Sequence, residues 1–195
     1  MRLILASNNP HKIEELRHLF AGTAVSFSGL SDWPALPEPP ETQDTFAGNA
    51  LQKARFVYER TGIMAVADDS GLVVDALGGQ PGVRSKRWTP EATAQSNNRH
   101  LLSALDGITT RTARFVCAMA VVWSGGERVI EGYCEGSIAV ALRGAGGFGY
   151  DPLFLPDARP GQTMAELSAA DKNAISHRGQ AFTHLPGLLA EISDT

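Results

Sequence analysis

Between Arg114 and Trp123 the chain reads RFVCAMAVVW, and a second long run, RVIEGYCEGSIAVAL, covers 128–142. Only Ser124-Gly125-Gly126-Glu127 separates them. A glycine pair between two apolar runs predicts a β-hairpin, because tight hairpin turns need backbone angles that glycine adopts without strain. A two-residue loop at Gly125-Gly126 makes facing residue numbers sum to 251, which places Cys117 opposite Cys134. A hairpin of this length needs a sheet to join and helices to cover it.

The rest of the chain supplies both. RLILA (2–6), VSFSGL (25–30), residues 63–67, LVVDAL (72–77) and LFLP (153–156) read as strands. Apolar stripes predict helices from about Pro10 to Phe20, with Asn9 as cap, and over 44–61, with Gly62 as stop. Further helices are expected at about 90–105, 168–173 and 176–192, the last capped by Ser176. The stretch DWPALPEPPE (32–41) carries four prolines and must be a loop. No repeat or low-complexity linker divides the 195 residues, so one α/β domain spanning 1–195 with a mixed sheet is expected.

A net charge of −4 argues against a partner that is a nucleic-acid polymer. The opening MRLILASNNPHK has an apolar stretch too short for a signal-peptide core or a membrane span. Cys117 and Cys134, with no CxxC, read as reduced core thiols. A cytoplasmic protein without a membrane partner is the expectation.

Chemistry concentrates in a few segments. ADDSGL (67–72) sets Asp68 and Asp69 at the end of an apolar strand, where each carboxylate raises the other's pKa and burial raises both. A favoured turn explains Asp, Ser and Gly there, and so does a Mg²⁺ site, since a hard cation neutralises paired oxygens. Because neighbouring strand side chains alternate, only one of the two acids can face a given ligand. SNNPHK (7–12) ends on a helix start, which attracts phosphate, and Lys12 suits an anion better than the helix dipole. Lys53 shares a helix face with Asn49 and serves equally as a solvated lysine or a phosphate ligand. Glu41 is either a plain loop acid or a metal ligand.

GAGGFGYD (144–151) contains a literal G-x-G-x-x-G, but Tyr150-Asp151-Pro152 and a strand follow where a dinucleotide fingerprint needs a helix. The hydride-transfer reading therefore fails on this motif, and the loop is better suited to stacking Phe148 on a planar base. KNAISHRG brings Lys172, His177 and Arg178 within seven residues, donors apt for exocyclic oxygens or phosphate.

The ordered set SNNPHK, ETQDTFAGNALQKA, ADDSGLVVDALGGQPG, GGFGYDP and KNAISHRGQA resembles the Ham1/RdgB-like family of inosine triphosphate pyrophosphatases, also called dITP/XTP pyrophosphatases. The resemblance runs from residue 7 to 181. It implies a long central mixed sheet flanked by helices, two lobes around an active-site cleft, a homodimer, and Mg²⁺ as cofactor. The implied substrates are purine nucleoside triphosphates with deaminated bases, cleaved to monophosphate and pyrophosphate to cleanse the nucleotide pool.

Position by position, the resemblance implies that Ser7, Asn8, Asn9, Lys12 and Lys53 bind the triphosphate, Lys12 as part of the catalytic set. Glu41 and Asp69 would hold the metal, Asp69 also accepting a proton from the attacking water, with Asp68 as a supporting acid. Ser70 would contact substrate. Phe148, Gly149, Tyr150 and Asp151 would form the nucleobase segment, and Lys172, His177 and Arg178 the base-selecting donors. One departure is Gly48, where many relatives carry Glu before the Asn, leaving Glu41, Asp68, Asp69 and water for the metal. Two rivals are a catalytically silent nucleotide-binding regulator, which would lose an acid, and a pyrophosphatase for modified pyrimidine or methylated nucleotides, which the SHR motif argues against.

Overall fold

Leu3, Ile4 and Leu5 are almost wholly shielded from solvent, which is the burial of a strand covered on both faces. In the computed structural model, which describes residues 1–8, 12–13, 16–17 and 20–193, this segment is β1 (Arg2–Leu5). It pairs in parallel with β2 (Ser26–Gly29) and with β3 (Ala65–Val74). β4 (Thr112–Trp123), β5 (Gly126–Ile138) and β6 (Phe154–Pro156) complete a six-stranded sheet in the order β2-β1-β3-β4-β5-β6. β5 and β6 run antiparallel, so the sheet is mixed, as expected. Helices α1 (Phe46–Thr61), α2 (Ala94–Ala104), α3 (Ala169–Ile175) and α4 (His177–Ser193) accompany it.

The hairpin forms, but its register is two residues from the expected one. β4 ends at Trp123 and β5 starts at Gly126, so the loop is Ser124-Gly125. Facing numbers sum to 249 at this end, and the Ile138 N–H donates to the Arg111 C=O (2.9 Å) with the same sum at the other. Cys134 therefore falls opposite Phe115, with which it shares a core cluster, and not opposite Cys117. A Cβ on Gly125 would sit 2.7 Å from the indole Nε1 of Trp123, so this loop position admits only glycine.

Three other boundaries move. β3 runs unbroken through Asp68–Gly71, which removes the turn reading of that segment. The strand expected to reach 77 stops at Val74, followed by a 3-10 turn, Asp75–Leu77, that Gly78 closes with a left-handed backbone. The helix expected from about 90 begins at Ala94, where the Thr93 hydroxyl accepts the Ser96 N–H (3.1 Å). The cap expected at Asn9 lies outside the described residues, as do Pro10 and Leu19 of the first expected helix; Lys12, Ile13, Leu16 and Arg17 are helical.

The chain divides into two compact units, 1–69 with 118–131 and 181–195, and 70–117 with 132–180. The first packs α1 through Ala50, Ala54 and Val57 against Ile4, Ala65, Ala67, Ala118 and Ala120. Small side chains on both partners let the helix backbone approach the sheet closely. The second is built on bulk, with Leu72, Leu101, Leu105, Phe115, Leu153 and Phe154 together and the Phe115 and Phe154 rings 4.6 Å apart. Among the described residues no helix is long and apolar enough to cross a membrane.

Both cysteines are buried and free of disulfides. Burial pushes the Cys134 thiol up to about 11. Since the thiolate is the reactive form, the native protein is expected to resist alkylation at about pH 8 and to react at both thiols once denatured. Rapid labelling of Cys134 in the native state, read by mass spectrometry, would contradict this.

Candidate active site

In the first unit the site grows from the N-terminal half of α1. The Thr45 hydroxyl caps the helix by accepting the Gly48 N–H (3.0 Å), and the next turns present Asn49, Gln52 and Lys53. Gln52 accepts the Thr42 N–H (2.9 Å) and donates to the Thr42 hydroxyl (2.8 Å), while Asn49 Oδ1 accepts the Gln43 N–H (2.9 Å). These bonds tie the proline-rich loop to the helix and so place Glu41. Lys53 Nζ then donates to Glu41 Oε1 (2.7 Å) and to the Asp68 C=O (2.7 Å), and stands 3.7 Å from Asp69 Oδ1. Two carboxylates from loop and strand thus gather about one ammonium.

The adjacent acids part as strand alternation requires. Asp68 is 4% exposed, and both its oxygens accept from Lys12 Nζ (2.7 and 2.8 Å). Asp69 instead accepts from Asn49 Nδ2 (2.9 Å) and faces Lys53. The face shared by Asn49 and Lys53 is therefore the face that addresses Asp69. The Asp69 carboxyl is held above its ordinary range, chiefly by burial and further by the nearby Glu41 and Asp68 charges; Lys53 and Asn49 oppose the rise. A carboxyl in that condition gains from an additional cation.

No group of three His, Cys, Asp or Glu side chains is arranged to hold a metal among the described residues. The chain offers Glu41 and Asp69, hard oxygen donors already collected around a positive charge, while both Asp68 oxygens are engaged by Lys12. Two carboxylates suit Mg²⁺, which keeps waters and takes substrate phosphate oxygens for its remaining positions. A Cβ on Gly48 would lie 2.9 Å from both Gln43 Cβ and Thr45 Oγ1, so no larger residue fits here without moving Gln43. Ser7 lies just past β1, its N–H bonded to the Leu5 C=O (2.8 Å), and Asn8 is exposed beside it.

In the second unit the segment Phe148–Asp151 is folded around Asp151. That carboxylate is 3% exposed and accepts the Phe148 N–H (2.7 Å) and Lys172 Nζ (2.5 Å). A Cβ on Gly147 would fall 2.1 Å from Asp151 Oδ2, so only glycine lets the carboxylate close this loop. Phe148 itself is 65% exposed, and the Lys172 ammonium stands 4.4 Å from its ring centroid, a cation–π contact. His177 stacks on Phe115 (5.0 Å, 15°), and Arg178 Nη2 donates to the Ser70 hydroxyl (3.4 Å). Ser176, the expected cap, accepts the Gly179 N–H (3.0 Å) at the start of α4.

Sequence reasoning missed the supports of this segment. Asn98 Nδ2 donates to the Gly149 C=O (2.8 Å), and the Tyr150 hydroxyl donates to the Ser85 C=O (2.9 Å). Burial raises the Tyr150 hydroxyl above its ordinary range, which keeps it a donor. No local signal marks Asn98, since its partner lies 51 residues away.

The chain belongs to the Ham1 family, whose sequence profile matches residues 3–187. It is 49% identical to a protein of Frankia alni named dITP/XTP pyrophosphatase, across 98% of both chains. Among solved structures it is similar to a HAM1 protein from Coxiella burnetii, with TM-score 0.93, 38% identity and 98% and 99% of the two chains covered. A nucleoside-triphosphatase / dITP/XTP pyrophosphatase from Mycobacterium abscessus matches with TM-score 0.83 and 44% identity over 95% of this chain and 98% of that one.

Proposed function

We propose that this chain hydrolyses dITP, XTP and ITP to the nucleoside monophosphate and pyrophosphate. The observation that carries the reading is the gathering of Glu41 and Asp69 about Lys53 in a chain whose near-full-length relatives are dITP/XTP pyrophosphatases. Glu41 and Asp69 would hold Mg²⁺, which when bound polarises the α-phosphoryl oxygens and acidifies water.

The remaining roles fall to the chain's own groups. Lys53 and Lys12, with Ser7, Asn8 and Asn9, neutralise and orient the triphosphate, whose several negative charges would otherwise be repelled by the acids. Asp68 holds Lys12 through both carboxylate oxygens. Asp69 orients a water and accepts its proton as the water oxygen bonds the α-phosphorus and the bond to the bridging oxygen breaks, releasing pyrophosphate. Asn49 holds the Asp69 carboxylate in place for that task.

In the second unit Phe148 stacks on the base while Lys172, His177 and Arg178 direct donors to its oxo groups, with Ser70 at the sugar-phosphate side. A 6-amino group would oppose a donor and leave it unsatisfied, at a cost of about 1–3 kcal/mol. Asp151 shapes the segment more than it touches the base, because Phe148 and Lys172 already engage its carboxylate. The resemblance extends the reading to a cytoplasmic homodimer, which sedimentation would test.

The deciding experiment is a panel of ITP, XTP, dITP, GTP and ATP with Mg²⁺, with pyrophosphate and orthophosphate measured separately. ITP, XTP and dITP are expected to be preferred, with pyrophosphate as first product. Orthophosphate as first product, or a preference for ATP, would sink the reading.

A further inference from the structure

We propose that Asn98 is the positioning residue of the nucleobase segment and thereby a determinant of purine selectivity; the inference rests on the pyrophosphatase reading above. Asn98 lies on α2 and is 4% exposed. Its Nδ2 must be the atom facing the Gly149 C=O, because a carbonyl accepts and cannot donate. Its Oδ1 is consequently buried without a hydrogen-bond partner among the described residues. An apolar side chain of similar size would bury no such acceptor. What the amide supplies in exchange is one directed bond to the backbone between Phe148 and Tyr150.

That bond differs in kind from the loop's other supports. The Phe148 N–H to Asp151 bond spans three residues and shapes the turn from within. The bond from Asn98 comes from a helix 51 residues away and fixes the turn to the body of its unit. The neighbouring Asn97 makes α2 a frame: its Nδ2 donates to the Ser85 and Lys86 C=O groups (3.3 and 3.2 Å), and Ser85 C=O also receives the Tyr150 hydroxyl. The Ser85 hydroxyl in turn accepts the Leu72 N–H (2.9 Å), two residues past Ser70. The backbone at Phe148–Tyr150 is thus referenced to α2 directly through Asn98 and indirectly through Ser85.

Base discrimination depends on holding the stacking ring and the donors within a fraction of an ångström of their productive geometry. Phe148 is exposed and its ring is not locked by core packing, so its placement depends on the backbone beneath it. Loosening that backbone weakens base binding in ground and transition states alike, a pattern that raises KM and spares kcat.

The test uses two variants of the full chain, each checked for an unchanged circular dichroism spectrum. Asn98→Ala is expected to raise KM for dITP about tenfold, to keep kcat within about threefold, and to lower the dITP-over-dGTP ratio of kcat/KM about tenfold. Inhibition by inorganic tripolyphosphate, which has no base, should not change. Asn98→Asp keeps the shape but turns an acceptor toward the Gly149 C=O. Its KM penalty relative to the unmodified chain at the same pH should be large at about pH 8 and shrink toward about pH 6, where the introduced carboxyl regains a proton to donate. Unchanged KM and selectivity in both variants, or tripolyphosphate inhibition weakening in step with KM, would overturn the inference and leave the pyrophosphatase reading standing. An unmodified chain that cleaves none of these nucleotides would overturn both.

Discussion

Asp69→Asn is expected to reduce turnover by about 10²–10⁴-fold while raising, not lowering, the thermal stability of the metal-free protein near neutral pH. The first effect follows from removing the group proposed to accept the water's proton. The second follows from the carboxyl's surroundings, which favour its protonated form: burial above all, then Glu41 and Asp68. A carboxyl whose pKa is raised on folding stabilises the native state while it is protonated. That contribution is complete below the unfolded value and is lost as pH rises through the folded one. Near neutrality the native protein therefore carries an ionised group it holds poorly, and the neutral asparagine relieves that burden while still accepting from Asn49. Melting curves with a chelator present should show the variant ahead at about pH 7.5, with the gap narrowing as the pH falls toward the carboxylate range. Near-normal turnover would remove Asp69 as the base, and a lowered melting temperature would mean that Lys53 and Asn49 outweigh burial.

Lys53→Met should damage both fold and function. Lys53 is 8% exposed and satisfies Glu41, the Asp68 carbonyl and, at longer range, Asp69. Methionine keeps much of the stem's packing and leaves two carboxylates confronting each other without a cation. Breaking a buried ion pair by deleting one partner costs about 3–5 kcal/mol, and the low end applies because a third of the Glu41 side chain is exposed. kcat/KM should fall by about 10³-fold as the site loses one of the two lysines proposed to bind the triphosphate. Urea denaturation should show the stability loss shrinking at lower pH, where the carboxyls protonate, and shrinking again when Mg²⁺ is added. Stability indifferent to both conditions would mean that Glu41 and Asp69 do not share a cation site.

Much of this site could be read before any fold was known. The pairing of Asn49 with Lys53 came from helix periodicity, and both side chains address Asp69. The separation of Asp68 from Asp69 came from strand alternation, and one carboxylate goes to Lys12 while the other goes to Asn49. The Ser176 cap and the failure of the G-x-G-x-x-G at 144–149 as a dinucleotide fingerprint rested on the same local rules. The hairpin register did not yield to them. Two glycines admit both a Ser124-Gly125 and a Gly125-Gly126 loop, so the local pattern leaves the register open.

By itself, then, the sequence determined what repeats along the backbone: which residues share a face, the helix stop at Gly62 and the helix start after Ser176, and that acids, lysines and an aromatic occur in one collinear order. Periodicity and capping involve neighbours a few positions apart, so no folding is needed to read them. Only the tertiary structure decided partners. Lys12 is committed to Asp68 across 56 residues, the Glu41 loop is clamped by Asn49 and Gln52, and Gly149 hangs from Asn98 across 51. Such contacts depend on where whole elements come to rest, which burial of Ala50, Ala54 and Leu101 against the sheet fixes and no local pattern encodes.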